Sequence, residues 1–597
     1  MTTEELRKSL LAERKNGYTK LTPEQKEEME AYCKRYAAFI STCKTEREAT
    51  TWAVEVAEKN GFKELKRGME LNPGDKVYYN NRGKSILLAV IGSESLNWGA
   101  NICAAHVDSP RMDLKPNPLY EDSEIAYFKT HYYGGIKKYQ WVALPLALHG
   151  VVVKMDGSSV KITIGEDESD PILMISDLLP HLAAGQMEKP APKIIGGEQL
   201  NVILGSEPIE GEGSDLVKLN IMKLLNEKYG IVESDFLSAE LNIVPAGKCR
   251  EVGFDRSLIA AYGHDDRVCA YAELEALFTI PLALHGVVCR KDGTSVKIVI
   301  GEDENDPVLM ITDLLPHLAA GQMEKPAPKI IGGEQLNVIL GSEPIEGEGS
   351  DLVKLNIMKW LNEKYGIVES DFLSAELNIV PAGKCREVGF DRSLIAAYGH
   401  DDRVCAYAEL EALFTIPTPT KTAVCILADK EEVGSMGLTG MKSQYFEHFM
   451  GGLCDGQGVN IRDCFYNSFC LSADVSNAFD PNFPEVSDRR NNSKLNYGVS
   501  ICKYTGSRGK GGCSDASAEV MGHIRSTFDK NNVIWQIATL GAVDVGGGGT
   551  VAADMANRNI PTVDAGVPVI SMHAPMELVS KVDCYSTMRA CKAIYLA

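Results

Sequence analysis

Four short segments place acidic or imidazole side chains directly after strand-like runs: AAHVDSP, YGHDDRVCAY, ILADKEEVGSMG and LSADVSNAFDP. A fifth, VISMHAPMELV, adds a histidine shortly before the last helix-like stretch. Together they supply His106, Asp401 or its repeat Asp265, Glu431, Glu432, Asp474 and His573. Two imidazoles and several carboxylates are the donors that a pair of divalent ions such as zinc requires, since zinc accepts histidine nitrogen and carboxylate oxygen. Hydrolysis needs one group more, a carboxylate free to take a proton from water at the ions. The adjacent Glu431 and Glu432 can divide the two roles. Asp108, two residues after His106, can hold the second ring nitrogen and fix its tautomer. Each motif alone is weak, because a lone histidine is more often structural and a lone Glu-Glu pair more often solvated. Their conjunction carries the reading.

Such side chains must be held by rigid elements. The N-terminal region begins with helical patterns and passes into strand-like VYYNN, KSILLAVIG and NICAAHVD. The C-terminal region alternates TAVCILAD, FCLSADV, NYGVSICKY and IWQIATLG with SDASAEVMGHIRSTF and a final helix near ELVSKVDCYSTMRACKAIYLA. Alternation of this kind predicts an α/β fold with a sheet flanked by helices, and sites in such folds lie at strand C-terminal ends.

Between these regions a stretch of 136 residues is repeated: Pro145–Ile280 recurs as Pro281–Ile416 with nine differences, among them Val153 against Cys289, Met155 against Lys291 and Leu224 against Trp360. Solenoid repeats are shorter and diverge more at their surfaces. The block therefore reads as a recent tandem duplication or an error of gene assembly. Within it, LHGVVVKMDG and SSVKITIGED read as a hairpin joined through Asp-Gly, and DLVKLNIMKLLNEKYGI as a helix ended by Gly230. ESDFLSAELNIVPAG reads as a strand and GHDDRVCAYAELEALF as a helix.

The 597 residues are 44% hydrophobic and 24% charged, a globular composition with length for two or more domains. The formal charge of -21 argues against a nucleic-acid partner, which would call for clustered Lys and Arg. The two repeats carry 11 and 12 basic residues against 22 acidic residues each, so the rest of the chain is neutral, with 38 of each sign. The opening MTTEELRKSLLAERKNGY is polar, and no stretch reaches the ~18 apolar residues of a membrane span. The sixteen cysteines are scattered singly, as reduced thiols in a cytoplasm would be. A soluble, cytoplasmic protein without a membrane partner is expected.

The segments NICAAHVDSPRMDLKPNP, GHDDRVCAY, DKEEVGSMG, SADVSNAFDPNFPEV, GCSDASAE and DAGVPVISMHAPMELVSKVD resemble, in order, the motifs of the M18 zinc aminopeptidases, the aminopeptidase I and aspartyl aminopeptidase group. The resemblance spans nearly the whole chain once one repeat is set aside. It implies two zinc ions per active site, one held by His106 and Asp474, the other by Glu432 and His573, with Asp401 bridging. Glu431 matches the general base and Asp108 the residue that orients His106. It further implies a discontinuous catalytic domain of residues 1–144 and 390–597. The inserted β-rich dimerisation domain would be present twice, as 145–253 and 281–389, with 254–280 repeating the metal-ligand helix. Family members build dodecamers from dimers, and a histidine of the insert reaches a neighbour's site; the matching LLPHLAAG segments give His181 and His317.

Two departures bear on function. HDDR occurs twice, and Asp401 has the shorter connection to Glu431, whereas from Asp265 the chain must first cross a second insert. Acid-selective members resemble a pattern with a basic residue after the metal-binding aspartate, where this chain has Asp480, so neutral or basic first residues are the expected peptide substrates. DVGGGGTVAADM lacks the Lys-Ser/Thr of a phosphate loop and reads as a tight turn near the site, and Ser514 and Ser517 have no evident histidine for a triad. The rival readings are a two-metal deacylase of other amides and a noncatalytic product of the duplication.

Overall fold

The computed structural model describes residues 17–98, 100, 106–264, 267, 281–303, 305–314, 318–347 and 349–597. Two compact units emerge: Met1–Arg111, Gly247–Ala320 and Ile331–Gly383 form the first, and Met112–Ala246, Gly321–Ile330 and Lys384–Ala597 the second. Asp265 and His317 lie outside the described residues.

The first repeat and the segment before it form a seven-stranded sheet. Its strands are β1 (Arg111–Asp122), β2 (Ile125–Tyr133), β3 (Leu146–Val153), β4 (Ser159–Ile164), β5 (Met174–Ile175), β6 (Asn201–Gly205) and β7 (Ala239–Pro245). The order is β4-β3-β7-β1-β2-β6-β5, so the β1–β2 hairpin sits in the middle. The Asp-Gly hairpin forms as expected, pairing Val153 with Ser159 through Leu148 with Ile164. Helix α1 (Leu216–Tyr229) ends at Gly230, whose φ of 64° takes the left-handed turn that a glycine adopts without strain. Ala126, Tyr127 and Phe128 of β2 are fully buried.

The first unit opens with helices Pro23–Thr42 and Glu46–Lys59, each started by a capping box, Thr22 with Gln25 and Thr45 with Glu48. They bury Tyr36, Phe39, Ile40 and Ala49, and a three-stranded sheet of residues 63–64, 76–81 and 85–90 follows. The second repeat belongs mostly to this unit. It contributes β8 (Leu282–Cys289), β9 (Ser295–Ile300), β10 (Met310–Ile311), β11 (Val338–Ile339) and β12 (Ala375–Pro381), with α2 (Leu352–Tyr365). Residues 112–144 occur once in the chain, so this repeat has no hairpin of its own. Its strands accordingly form two small sheets, β9-β8-β12 and β10-β11.

The C-terminal region supplies two sheets of the second unit. Strands β13 (Arg386–Val388), β14 (Leu394–Ala397), β15 (Cys470–Ser472), β16 (Ser476–Asn477), β17 (Val499–Cys502), β18 (Trp535–Ala538), β19 (Thr562–Gly566), β20 (Pro568–Ile570) and β21 (Glu577–Ser580) are ordered β13-β14-β21-β20-β16 and β15-β19-β17-β18. Helices α3 (His400–Phe414), α4 (Ala518–Lys530) and α5 (Lys581–Tyr595) accompany them, and α4 and α5 cover Val499, Ile501, Val563 and Ala565 through Ile524, Phe528 and Ala590. The fold is α/β, as the alternation predicts. One expected strand differs: TAVCILAD is not a strand, and only Asp429 bridges, to Gly440. Sheet edge β15 pairs with β19 alone, so nothing among the described residues zips this segment into a ladder.

Identical sequences meet at one point inside the second unit. The Ala191 N–H donates to the Lys325 carbonyl and the Ala327 N–H to the Lys189 carbonyl, both at 3.2 Å. Pro190 and Pro326, the centre of this reciprocal pair, are repeats of each other, so the contact is self-complementary in the manner of a two-fold interface. Among the described residues no helix is long and apolar enough to cross a membrane.

Candidate metal centre

The strands of the second unit deliver acidic residues to one place. Asp474 lies in the short link between β15 and β16, His573 in the turn between β20 and β21, and Asp401 at the start of α3, where the Asp401–Asp402 peptide is cis. Glu431 and Glu432 sit in a single turn, Glu431–Val433, flanked by the left-handed residues Lys430 and Gly434. Donor atoms of Asp401, Glu432 and His573 lie within 4.8 Å of one another, and so do those of Asp401, Asp402 and Asp474. Asp401 is common to both groups. Its carboxylate meets His573 Nε2 at 2.9 Å, and Glu432 approaches the same nitrogen at 3.7 Å.

The carboxylates of this cluster outnumber its imidazole, His573, whose pKa the hydrogen bond to Asp401 raises. Burial, followed by the neighbouring Asp401, pushes the Asp474 carboxyl well above the usual carboxylate range. Asp402 is pushed the same way by burial and then by Asp474, and its Oδ1 has no partner among the described residues. Buried like charges ionise together only if a cation or protons neutralise them. Oxygen and imidazole donors converging on a shared carboxylate fit zinc. Burial, then Glu432 and Asp401, also raises the Glu431 pKa, which moves it toward the range useful for a general base.

Glu577 was not legible as a site residue. It opens β21 opposite Ala397 and is 2% exposed. Its carboxylate accepts the backbone N–H of Asp401 at 3.0 Å and that of His573 at 2.7 Å, so one side chain holds two donor residues in place. His573 needs such support because its φ of 64° is uncommon for a residue other than glycine. The signal available was its place four residues after His573 at the start of a strand. Asp402 was likewise missed, although HDDR contains it.

Replacing Glu577 with Gln leaves one accepting oxygen for two N–H groups. Zinc affinity, read by competition with a chromophoric chelator, is expected to fall roughly 10- to 100-fold, as for other residues that orient metal ligands. An unchanged affinity would make Glu577 a fold residue only.

His181 stands in the turn Pro180–Leu182 of the first repeat, its ring 5.0 Å from that of His573 and edge-on to it at 85°. Burial, then the His573 ring, holds its pKa below the ordinary histidine value. Gly541 and Gly546, the second within DVGGGGT, receive this turn: a Cβ at either would come within 2.3 or 2.2 Å of Leu182 Cδ2. Asp480 is buried, where its Oδ1 accepts the Asn482 N–H at 2.9 Å, and burial pushes its pKa up to about 6. His106 and Asp108 belong to the first unit, and His106 Nδ1 lies 3.2 Å from Asp108 Oδ1. Every described cysteine is a free thiol.

Residues 39–281 and 278–595 each match the family model described as aminopeptidase I zinc metalloprotease (M18). A probable M18 family aminopeptidase 1 of Clostridium acetobutylicum is 40% identical over 586 residues, covering 97% of this chain and 97% of that protein. One from Borrelia garinii subsp. bavariensis is 36% identical, covering 98% and 99%. Among solved structures, the aminopeptidase I of Clostridium acetobutylicum aligns over 98% of this chain and 100% of that one at 37% identity, with a TM-score of 0.37. With both halves of the chain matched and whole-length relatives above 30% identity, the chain belongs to the M18 family of zinc metalloaminopeptidases.

Proposed function

We propose that the protein releases single residues from peptide N-termini at a centre for two zinc ions, with Glu431 as general base. The observation that supports it most is the sharing of Asp401 between two donor groups, the placement a bridging carboxylate needs. Glu432 and His573 would hold one ion, and Asp474, with His106 by resemblance to the family, the other. Two zinc ions supply Lewis-acid polarisation of the scissile carbonyl and a lowered water pKa. Glu431 takes the proton of the attacking water and returns it to the leaving amine. The same centre would hold the substrate's free amino group, which restricts cleavage to the first residue. His181, whose pKa burial lowers, would contribute a hydrogen bond to the substrate; His317 is the same residue of the other repeat. Asp108 orients His106. The division into a catalytic domain of 1–144 and 390–597, with the insert at 145–253 and 281–389 and self-association through it, is part of this reading.

Substrate choice supplies the test. Asp480 is expected to disfavour Asp or Glu at the first position while ionised, which holds above its pKa of about 6 and lapses below it. The ratio of kcat/KM for Leu- over Glu-p-nitroanilide should therefore rise from pH 5.5 to pH 7.5 by a few-fold, on the order of 1 kcal/mol of like-charge repulsion at an effective dielectric near 20. Asp480→Asn should flatten that rise, and a strong chelator should abolish both activities. Hydrolysis of N-acyl amino acids without cleavage of free-amine peptides would transfer the protein to the amide deacylases.

A further inference from the structure

The second repeat has a ready-made gap of two strands. In the first repeat, β7 and β6 flank the β1–β2 hairpin. Asn242 pairs with Asp113 and Ile243 with Met112 on one side, and Val202 with Phe128 and Ile203 with Tyr127 on the other. Side chains reinforce the seat: Asn242 Nδ2 donates to Asp113 Oδ1 at 2.7 Å, Thr130 Oγ1 to the Leu200 carbonyl at 2.5 Å, and Phe128 packs edge-on against Phe236 at 5.5 Å. The second repeat keeps all of these acceptor residues, with AELNIVP in β12, LNVILG around β11, and Phe372. What it lacks is the hairpin.

The exposure of the repeated residues records the vacancy. Leu336 is 56% exposed where its repeat Leu200 is 1%, and Phe372 is 41% exposed where Phe236 is 5%. Ile379 is 40% exposed where Ile243 is fully buried. Among the described residues no strand pairs with the outer edge of β12 or of β11. The two remaining pieces are still held together at the other side by the Leu282–Leu309 bridge, the counterpart of Leu146–Leu173. The opening is thus a place for two strands at ~4.8 Å spacing. Trp360, in place of Leu224, stacks on Phe254 at 5.1 Å and covers part of the apolar surface, but Phe372 and the strand edges stay open.

We propose that this opening is an acceptor for the β1–β2 hairpin of a second copy of the chain, seated in the register the first repeat displays. Unpaired edges flanked by apolar side chains recruit strands by main-chain hydrogen bonds, and the side-chain pockets select which strands. Apart from Trp360 for Leu224, the strands and Phe372 repeat the residues that already hold residues 111–133, which makes that hairpin the best complement available. Each chain carries one hairpin and two acceptors, so exchange leaves the number of paired edges unchanged. It depends on chain concentration and on peeling the hairpin from the first repeat. Because donor and acceptor surfaces differ, the contact is head-to-tail and can extend beyond a dimer.

Two preparations test it, one carrying Asp113→Cys with one affinity tag and the other Asn378→Cys with a second tag. Mixed at high concentration and oxidised, they should yield a disulfide-linked heterodimer absent from mixtures of either variant with wild-type chain. A synthetic peptide of residues 111–133 in excess should suppress it. Asp113→Cys combined with Asn242→Cys in one chain is the positive control, because those residues face each other across β1 and β7. Cross-linking in that control but none between chains would overturn the proposal. A cross-link formed only inside single chains carrying both Asp113→Cys and Asn378→Cys would overturn it as well, in favour of exchange within one molecule.

Discussion

Glu431→Gln is expected to retain zinc and lose turnover by roughly 10² to 10⁴-fold, the usual worth of a general base. The substitution keeps size and polarity but removes proton affinity. Glu431 shares its turn with Glu432, whose carboxylate reaches toward His573, so the two neighbours separate into one that approaches a donor and one that stays available. Their proximity is also why burial and repulsion raise the Glu431 pKa. Metal content by elemental mass spectrometry and single-turnover cleavage of a Leu peptide should be measured on the same sample. Wild-type turnover at full zinc would remove Glu431 from the mechanism. Loss of zinc in proportion to activity would make it a ligand.

Asp401→Ala should have the largest effect of any single change, because it deletes the one carboxylate common to both donor groups. Zinc content and peptide hydrolysis are both expected to fall to background, while Asp265→Ala leaves them near wild type. The opposite pair of outcomes would mean that the first HDDR segment completes the centre. Chain entropy alone decides little between the two, since each doubling of a flexible loop costs only about 0.6 kcal/mol. The Glu577 carboxylate, clamping the Asp401 and His573 amides, is the local feature that favours the second copy. The double variant supplies the baseline for both.

The donors that cluster were legible because their chemistry is local: His573, Asp401, Glu432 and Asp474 each follow a short apolar run, and three of those runs form strands (β14, β15 and β20). Glu577 and Asp402 were not, because one works by accepting amides from residues apart in sequence and the other by being buried against Asp474. Asp480 reads from sequence as a charge that selects against acidic first residues; that packing buries it, with Oδ1 accepting the Asn482 N–H, is a tertiary feature. The strand expected at TAVCILAD failed for a tertiary reason, since strand propensity needs a partner edge.

By itself the sequence determined the α/β class, four of the five residues that cluster at Asp401 and the near-identity of two blocks 136 residues apart. It could not determine what each block packs against. Ile172 of the first repeat bridges Val388 near the end of the second, while Val308 of the second bridges Val252 near the end of the first. Asp391 caps the Ser206 and Glu207 amides, and Asp255 those of Ser342 and Glu343, in the same crossed pattern. Nearly identical sequences, Ile172 against Val308 being one of the nine differences, offer nearly identical docking surfaces, so local energies decide little between the pairings. Only the path of the chain, and the single hairpin of residues 111–133 that one repeat has and the other lacks, breaks the tie.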